Sequence, residues 1–121
     1  DEAEKIIKQR WASIEEARKA KNFAILVGLK PGQRKLDQSL MLKTKLEAKG
    51  KTVLLFALRD VTPEKLMEFP AIDAYVDTAC PRISTDDSLR FSRPMLTANE
   101  ALVVLGDLSW LELTRRGLLE S

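Results

Sequence analysis

The stretch Phe23-Ala24-Ile25-Leu26-Val27-Gly28 decides the fold, because it is a continuous apolar run of strand length. Such runs are typical of strands that are covered on both faces, as in parallel sheets. The turn Lys30-Pro31-Gly32-Gln33 ends the run, and a helical pattern follows over about 34–48. Gly50 stands near the end of that helix, where a left-handed cap is expected. This order predicts one strand-turn-helix unit.

The same unit repeats further along the chain. Val53-Leu54-Leu55-Phe56-Ala57-Leu58 is a second apolar run, which we interpret as a second buried strand. Thr62 before Pro63 begins a short helix over 63–68, since proline at the first helical position lacks only a donor that would be unpaired anyway. A third strand is predicted over 72–79, and Met95-Leu96 is a short fourth strand.

Three further helices flank these strands. An amphipathic helix is predicted over 2–20, and its apolar stripe must pack on another element. Thr97-Ala98-Asn99-Glu100 is a capping box and begins a helix that runs to Gly106. Ser109-Trp110-Leu111-Glu112 repeats the signature and begins a last helix over 109–119. The stripe of the first helix consists of Ile7, Trp11, Ile14 and Ala17.

Alternating strands and helices predict an α/β fold, namely a small, open, parallel, four-stranded Rossmann-like sheet with helices on both faces. We expect the strand order 2-1-3-4 and a single domain over 1–121, with the sheet core over 23–106. Strands 1 and 3 are neighbours in this order. The turn after Gly28 and the turn that carries Cys80 therefore share one edge of the sheet.

The composition excludes several classes of partner. The 121 residues include 20 basic and 18 acidic side chains, which are interspersed and give a net charge of +2. Together with 6% aromatic residues, this pattern argues against nucleic-acid binding. No apolar run approaches the roughly 18 residues of a membrane span. The acidic first residues do not resemble a signal peptide, and one cysteine cannot form an internal disulfide, so we expect a cytoplasmic protein.

The absence of histidine removes the commonest general base and metal ligand. Ser-His-Asp, Cys-His and histidine-rich zinc chemistry are therefore excluded within this chain. One thiolate cannot hold zinc or an iron-sulfur cluster, since these need three or four ligands. If Cys80 binds a metal, the other ligands come from outside these 121 residues.

The candidate site is the turn Thr78-Ala79-Cys80-Pro81-Arg82-Ile83, which carries the only cysteine in the sequence. Ligands of open parallel sheets bind beyond the carboxyl ends of the strands, which favours a functional thiol at this position. A buried, structural cysteine is the alternative, because free cysteine often behaves as a small hydrophobe. Arg82 would lower the pKa of the thiol or bind an anion if it points inward.

The turn after Gly28 matches neither the G-x-G-x-x-G pattern nor the Walker loop, so a Pro-Gly turn that shapes the strand exit explains it well. A weaker role in ligand binding stays open: Lys30 and Gln33 could hold a carboxylate or an amide group of a ligand. Asp86 and Asp87 are interpreted as solvated loop or capping residues.

Five motifs together resemble a known enzyme family over about residues 10–106. The family is the diphthamide synthesis radical enzyme, 2-(3-amino-3-carboxypropyl)histidine synthase, and the resemblance is to its C-terminal third. The motifs are Gly28-x-Lys30-x-Gly32-Gln33, Pro63-Glu64-Lys65-Leu66-x-x-Phe69, Ile72-Asp73-Ala74-Tyr75-Val76, Thr78-Ala79-Cys80-Pro81-Arg82-Ile83 and Arg93-Pro94-Met95-Leu96-Thr97-x-x-Glu100.

The resemblance implies three similar α/β domains, each of which gives one cysteine to a shared 4Fe-4S cluster. The cluster binds S-adenosylmethionine, whose cleavage yields a 3-amino-3-carboxypropyl radical that adds to a histidine of translation elongation factor 2. Cys80 would be the third domain's cluster ligand, consistent with the preference of iron-sulfur sites for soft thiolates. Gly32 and Gln33, with Lys30 and Arg82, would line the S-adenosylmethionine pocket.

The resemblance also implies that two cysteines lie on N-terminal domains that are absent from these 121 residues. The isolated chain would then neither hold the cluster nor catalyse, and it contains no catalytic residue of its own. In the parent enzyme it would belong to a homodimer or a heteromer. The alternative hypothesis is a non-catalytic Rossmann-like binding or assembly module in which Cys80 is structural.

Overall fold

The computed structural model describes residues 2–28, 36–58, 66, 69, 71–78 and 93–116. Within these ranges the strands are β1 (Asn22–Gly28), β2 (Thr52–Leu58), β3 (Ala74–Asp77) and β4 (Met95–Leu96). The helices are α1 (Glu2–Lys19), α2 (Leu36–Ala48), α3 (Ala98–Leu105) and α4 (Trp110–Arg116). The predicted helix over 63–68 lies outside the described residues except for Leu66, which is helical.

The four strands form one parallel sheet in the order β2-β1-β3-β4, which confirms the predicted fold. β1 lies between β2 and β3, with Ile25 opposite both Leu55 and Val76. Phe23 to Leu26 are fully buried because strands flank them and side chains cover both faces of the sheet. The continuous apolar run of β1 is therefore explained by its central place.

Each face of the sheet carries its own apolar cluster. All four helices contribute to the larger cluster, in which Phe23 and Ile25 of β1 contact side chains such as Ile14, Leu42 and Leu113. The opposite face is covered in part by the helical residue Leu66, so helical chain packs on both faces. The smaller cluster on that face consists of Ala24, Leu26, Leu66, Ile72, Tyr75 and Met95, with Phe56 at its margin.

The prediction that the second strand is buried on both faces is wrong. β2 is an edge strand, and Leu54 on it is 49% exposed. Phe56 is half-buried and contacts the ring of Phe69, with 4.6 Å between the ring centroids. A continuous apolar run predicts a strand but does not distinguish a central strand from an edge strand.

The helix ends follow the predicted capping chemistry. The Thr97 hydroxyl accepts from the Glu100 amide at 3.1 Å, and the Glu100 carboxylate accepts from the Thr97 amide at 2.9 Å. α3 is capped at its C-terminus by Gly106, whose φ of 85° lies in the left-handed region that glycine adopts without strain. Ser109 caps α4 through its hydroxyl, which accepts from the Glu112 amide at 3.0 Å. The predicted starts of both helices are confirmed, while 117–119 lie outside the described residues.

The predicted apolar stripe of α1 is confirmed for two of its four residues. Ile14 and Ala17 are buried in the larger cluster, but Ile7 is 41% exposed. Trp11 is also substantially exposed, and it packs edge-to-face on Trp110 with 5.0 Å between the ring centroids. Trp11 lies between the buried residues Arg10 and Ile14 and is still exposed, so the apolar pattern overestimated the stripe.

Candidate functional site

β1 and β3 end side by side at the carboxyl edge of the sheet. Leu26 of β1 lies opposite Asp77 of β3, and β1 ends two residues later at Gly28. Thr78 follows Asp77 directly and still donates its backbone amide to the Leu26 carbonyl, at 3.0 Å. The chain therefore leaves these neighbouring strands at one edge toward residues 29–35 and 79–92.

The predicted site residues all lie outside the described residues. Lys30, Gly32 and Gln33 fall in 29–35, whereas Cys80 and Arg82 fall in 79–92. Their assigned roles stay predictions. Asp86 and Asp87 also lie outside the described part of the chain.

Within the turn that carries Cys80, the structure describes Thr78, and this residue is buried. Its hydroxyl donates to the carbonyl oxygen of Leu26 at 2.7 Å. The hydroxyl of Ser39, in the first turn of α2, lies 3.1 Å from that of Thr78. These contacts join α2, β1 and β3 at the edge where the candidate site segments begin.

The carboxylate of Asp77 lies at the same edge and is fully buried. It immediately precedes Thr78 and stands three residues before Cys80. An acidic metal pocket that includes Asp77 would need further carboxylates, and the candidates Asp60, Asp86 and Asp87 lie outside the described residues. Among the residues that the structure describes, no three acidic, histidine or cysteine side chains are grouped as metal ligands.

A buried ion pair lies beside β4. The Arg10 guanidinium donates to both carboxylate oxygens of Glu100, at 2.7 and 2.5 Å, and to the carbonyl oxygen of Met95 at 2.6 Å. The two side chains are 1% and 0% exposed. Because Glu100 also closes the capping box with Thr97, this pair ties α1 to β4 and to the start of α3.

Asp73 lies at the amino ends of the strands, and its carboxylate has a shifted pKa. Asp73 accepts from the backbone amides of Asn22 at 3.0 Å and Lys21 at 3.3 Å. The amide of Asn22 is the main cause of the lowered pKa of Asp73. Desolvation by burial opposes it, and the Lys21 amide and the Arg93 charge lower the pKa further. β3 runs from Ala74 to Asp77 and is therefore shorter than the strand predicted over 72–79.

Tyr75 is a core residue. Its hydroxyl donates to the Leu66 carbonyl oxygen at 3.1 Å, and burial raises the pKa of the phenol. Arg93 is exposed and is therefore a surface charge. Neither residue is part of the candidate site.

The sequence analysis missed the buried polar residues that organise this region. Ser39 precedes Leu42 and Leu46 on one face of α2, and Arg10 precedes Ile14 and Ala17 on α1. In both helices a polar residue occupies a position where the helical period requires an apolar one. That mismatch was the available signal, and it indicates a buried side chain with a specific partner.

None of the helices within the described ranges combines the length and apolarity that crossing a membrane requires. The sequence had indicated the same from its longest apolar runs.

Residues 1–114 match the sequence profile of the diphthamide synthesis protein family. The 2-(3-amino-3-carboxypropyl)histidine synthase of Pyrococcus horikoshii is 38% identical over 103 residues, which cover 85% of this chain and 30% of the relative. Subunit 1 of the Saccharomyces cerevisiae synthase is 41% identical over 100 residues, which cover 83% of this chain and 24% of the relative.

The fold is also similar to solved structures. The crystal structure of Dph2 from Pyrococcus horikoshii with a 4Fe-4S cluster has a TM-score of 0.79 and is 36% identical, over 88% of this chain and 30% of that chain. A second crystal structure of that protein has a TM-score of 0.77. This chain therefore spans less than a third of the length of these relatives.

Proposed function

This chain belongs to the diphthamide synthesis protein family, and we propose that it is the cluster-ligating third domain of a 3-amino-3-carboxypropyl transferase. The transferase modifies a histidine of translation elongation factor 2 in the first step of diphthamide biosynthesis. The observation that carries the proposal is the likeness, in sequence and fold, to a Dph2 structure that contains a 4Fe-4S cluster.

Cys80 is the proposed cluster ligand. It is the only cysteine in the chain and follows the buried Thr78 by two residues, beyond the carboxyl end of β3. A thiolate suits an iron-sulfur site. A cluster takes three or four ligands, and this chain supplies one thiolate. Two further cysteines must therefore lie outside this chain.

S-adenosylmethionine is the proposed small-molecule substrate. When bound, the cluster would supply one electron, which would break the bond between the sulfonium sulfur and the 3-amino-3-carboxypropyl carbon and give the 3-amino-3-carboxypropyl radical and the thioether 5′-methylthioadenosine. In this chain, Gly32 and Gln33 would line the pocket, and the charges of Lys30 and Arg82 suit the substrate's carboxylate. These residues bind and orient the substrate, and none of them is assigned a proton transfer or a covalent step.

The proposed enzyme is cytoplasmic and is larger than this chain, since the relatives are three to four times as long as the matched region. Two N-terminal α/β domains, each with one cysteine, complete the cluster site. The complete protein is a homodimer or part of a heteromer. By itself the 121-residue chain is inactive, because it supplies one of the cluster's ligands.

Iron analysis tests this division of the site. The 121-residue chain is reconstituted with iron and sulfide under anaerobic conditions, and so is the longer enzyme in which the N-terminal domains precede it. We expect the chain to stay colourless and the longer enzyme to hold one 4Fe-4S cluster and cleave S-adenosylmethionine. A stable cluster on the chain alone would contradict the proposal.

A further inference from the structure

Both tryptophans of the chain lie on one surface, where α1 and α4 meet. The ring of Trp11 contacts that of Trp110 edge-to-face, with 5.0 Å between the ring centroids and 62° between the planes. Trp11 is 39% exposed, and Trp110 is half-buried. Ile7 stands one helical turn before Trp11 and is 41% exposed, and Leu111 follows Trp110 directly and is 61% exposed. These four residues form the tryptophan surface.

The grouping of these side chains distinguishes the tryptophan surface from an ordinary protein surface. Single exposed apolar residues are common on soluble proteins and need no explanation. Here apolar side chains from two helices lie together, and two of them are tryptophan, a residue type that is enriched where proteins bind each other. The edge-to-face contact also holds both rings in place, so a partner that packs on them gains contact area at little cost in side-chain freedom.

The charges beside this surface favour a protein as the partner. Lys8 follows Ile7 and Glu112 follows Leu111, and both charged side chains are exposed. A nucleic acid or an anionic membrane would need basic side chains around the apolar residues. An apolar centre with polar neighbours of both signs is instead typical of a protein–protein contact.

A neighbouring domain of the same polypeptide fits this surface better than a free partner does. The matched region makes up 30% of the Pyrococcus horikoshii synthase and 24% of the Saccharomyces cerevisiae subunit, so most of each relative's chain lies outside it. A domain that is tethered by a short linker has an effective concentration on the order of millimolar. Such a domain therefore occupies an apolar surface ahead of a second copy of the chain or another protein.

We propose that another domain of the longer enzyme packs on the tryptophan surface, with Trp11 and Trp110 as the central contacts. This inference rests on the proposed function in one respect, namely that the chain is one domain of a longer enzyme. It requires neither the cluster nor Cys80. The partner domain presents an uncharged, apolar face to the two rings.

The first test is hydroxyl-radical footprinting, read by mass spectrometry, of the 121-residue chain and of the longer enzyme. We expect the oxidation rates of Trp11 and Trp110 to fall about threefold or more in the longer enzyme, because the centre of such a contact is shielded from water. Phe69 is the control, since it is 42% exposed and contacts Phe56 at the margin of the smaller cluster, on the other face of the sheet. Its rate should stay the same.

The second test changes the contact itself in the longer enzyme. Ile7→Lys places a charge in the apolar contact, so we expect both tryptophans to react as fast as they do in the isolated chain. Leu54→Lys is the matched control, because it adds the same charge at a side chain that is 49% exposed on the edge strand β2. That variant should leave both tryptophans protected. Circular dichroism of the two variants of the 121-residue chain checks that the fold is unaltered.

Equal tryptophan rates in the chain and in the longer enzyme would overturn the proposal, since no domain would then cover the surface. So would an equal fall at Phe69, which would indicate general shielding, or tryptophans that stay protected in Ile7→Lys. A 121-residue chain that sediments as a dimer, with tryptophans that become reactive on dilution, would assign the surface to a second copy and would also overturn it.

The same preparations separate this inference from the proposed function. If Cys80→Ala loses the cluster while both tryptophans react equally in the chain and in the longer enzyme, the docking surface fails and the proposed function stands. If Cys80→Ala keeps the cluster while the tryptophans are protected in the longer enzyme, the cluster-ligating function fails and the docking surface stands.

Discussion

Arg10 and Glu100 are 90 residues apart in the sequence and form a two-point ion pair that is almost completely shielded from solvent. Arg10 reaches from α1 across the end of β4, where it also binds the Met95 carbonyl oxygen. Glu100 holds the first turn of α3 through its bond to the Thr97 amide. One buried pair thus joins the N-terminal helix to the carboxyl edge of the sheet.

Arg10→Met is expected to reduce the free energy of unfolding by about 3 to 5 kcal/mol, because it leaves the Glu100 carboxylate buried without its charged partner. Urea denaturation followed by circular dichroism measures the loss. Arg18→Ala is the matched control: its ion pair with Glu15 is exposed, so we expect a change of about 1 kcal/mol or less.

Adding Glu100→Gln to Arg10→Met should recover part of the loss. Glutamine is neutral, so burying it without the arginine costs less, and it still suits the capping box. If Arg10→Met and Arg18→Ala had equal effects, the buried pair would not have the structural role that its geometry indicates.

Thr97→Ala should destabilise the protein by about 1 to 2 kcal/mol, because it removes a buried helix cap. Ser109→Ala removes the same kind of bond at the start of α4, where the serine is exposed and water can replace it. We expect the smaller loss, about 0.5 kcal/mol, for that variant. Parallel urea titrations compare them, and a larger effect of Ser109→Ala would contradict this ranking.

Asp73 should make the chain sensitive to acid. Its pKa is lower in the folded state than the unfolded value of about 3.9, chiefly because it accepts from the Asn22 amide. Its contribution is therefore fully present above pH 4 or so and is lost as the pH falls through the lower, folded pKa.

Unfolding free energies of the unaltered chain and of Asp73→Asn, measured between about pH 6 and pH 2.5, check this dependence. We expect the difference between the two proteins to shrink as the pH falls below about 4. A difference that stays constant over the whole range would show that the charge of Asp73 does not stabilise the fold.

The sequence predicted the sheet well because each strand has a clear apolar pattern and the alternation with helices restricts the topology. β1, with its uninterrupted run from Phe23 to Leu26, and the capping box at Thr97 were both interpretable from local chemistry. Leu54 shows where this approach stops, because β2 has the same kind of continuous apolar run as the central strand β1, and yet Leu54 is 49% exposed.

The polar contacts of the candidate site could not be predicted in the same way. Ser39 and Thr78 are ordinary residues in the sequence, and they meet only because the fold brings the first turn of α2 next to the residue that follows β3. Arg10 and Glu100 likewise meet through the packing of α1 beside β4. A polar residue on an apolar helix face indicates locally that a buried polar contact exists. It does not identify the partner, which is far away in the sequence.

The central claim is that Cys80 is one ligand of a cluster shared with other domains, and Cys80→Ala in the longer enzyme tests it most directly. Iron and sulfide content, electron paramagnetic resonance and cleavage of S-adenosylmethionine are measured on the variant and on the unaltered enzyme, with circular dichroism as the control for folding. The account predicts a folded variant that has lost the normal cluster signal and the cleavage activity. A variant that keeps its full cluster content and cleaves S-adenosylmethionine at the unaltered rate would contradict it.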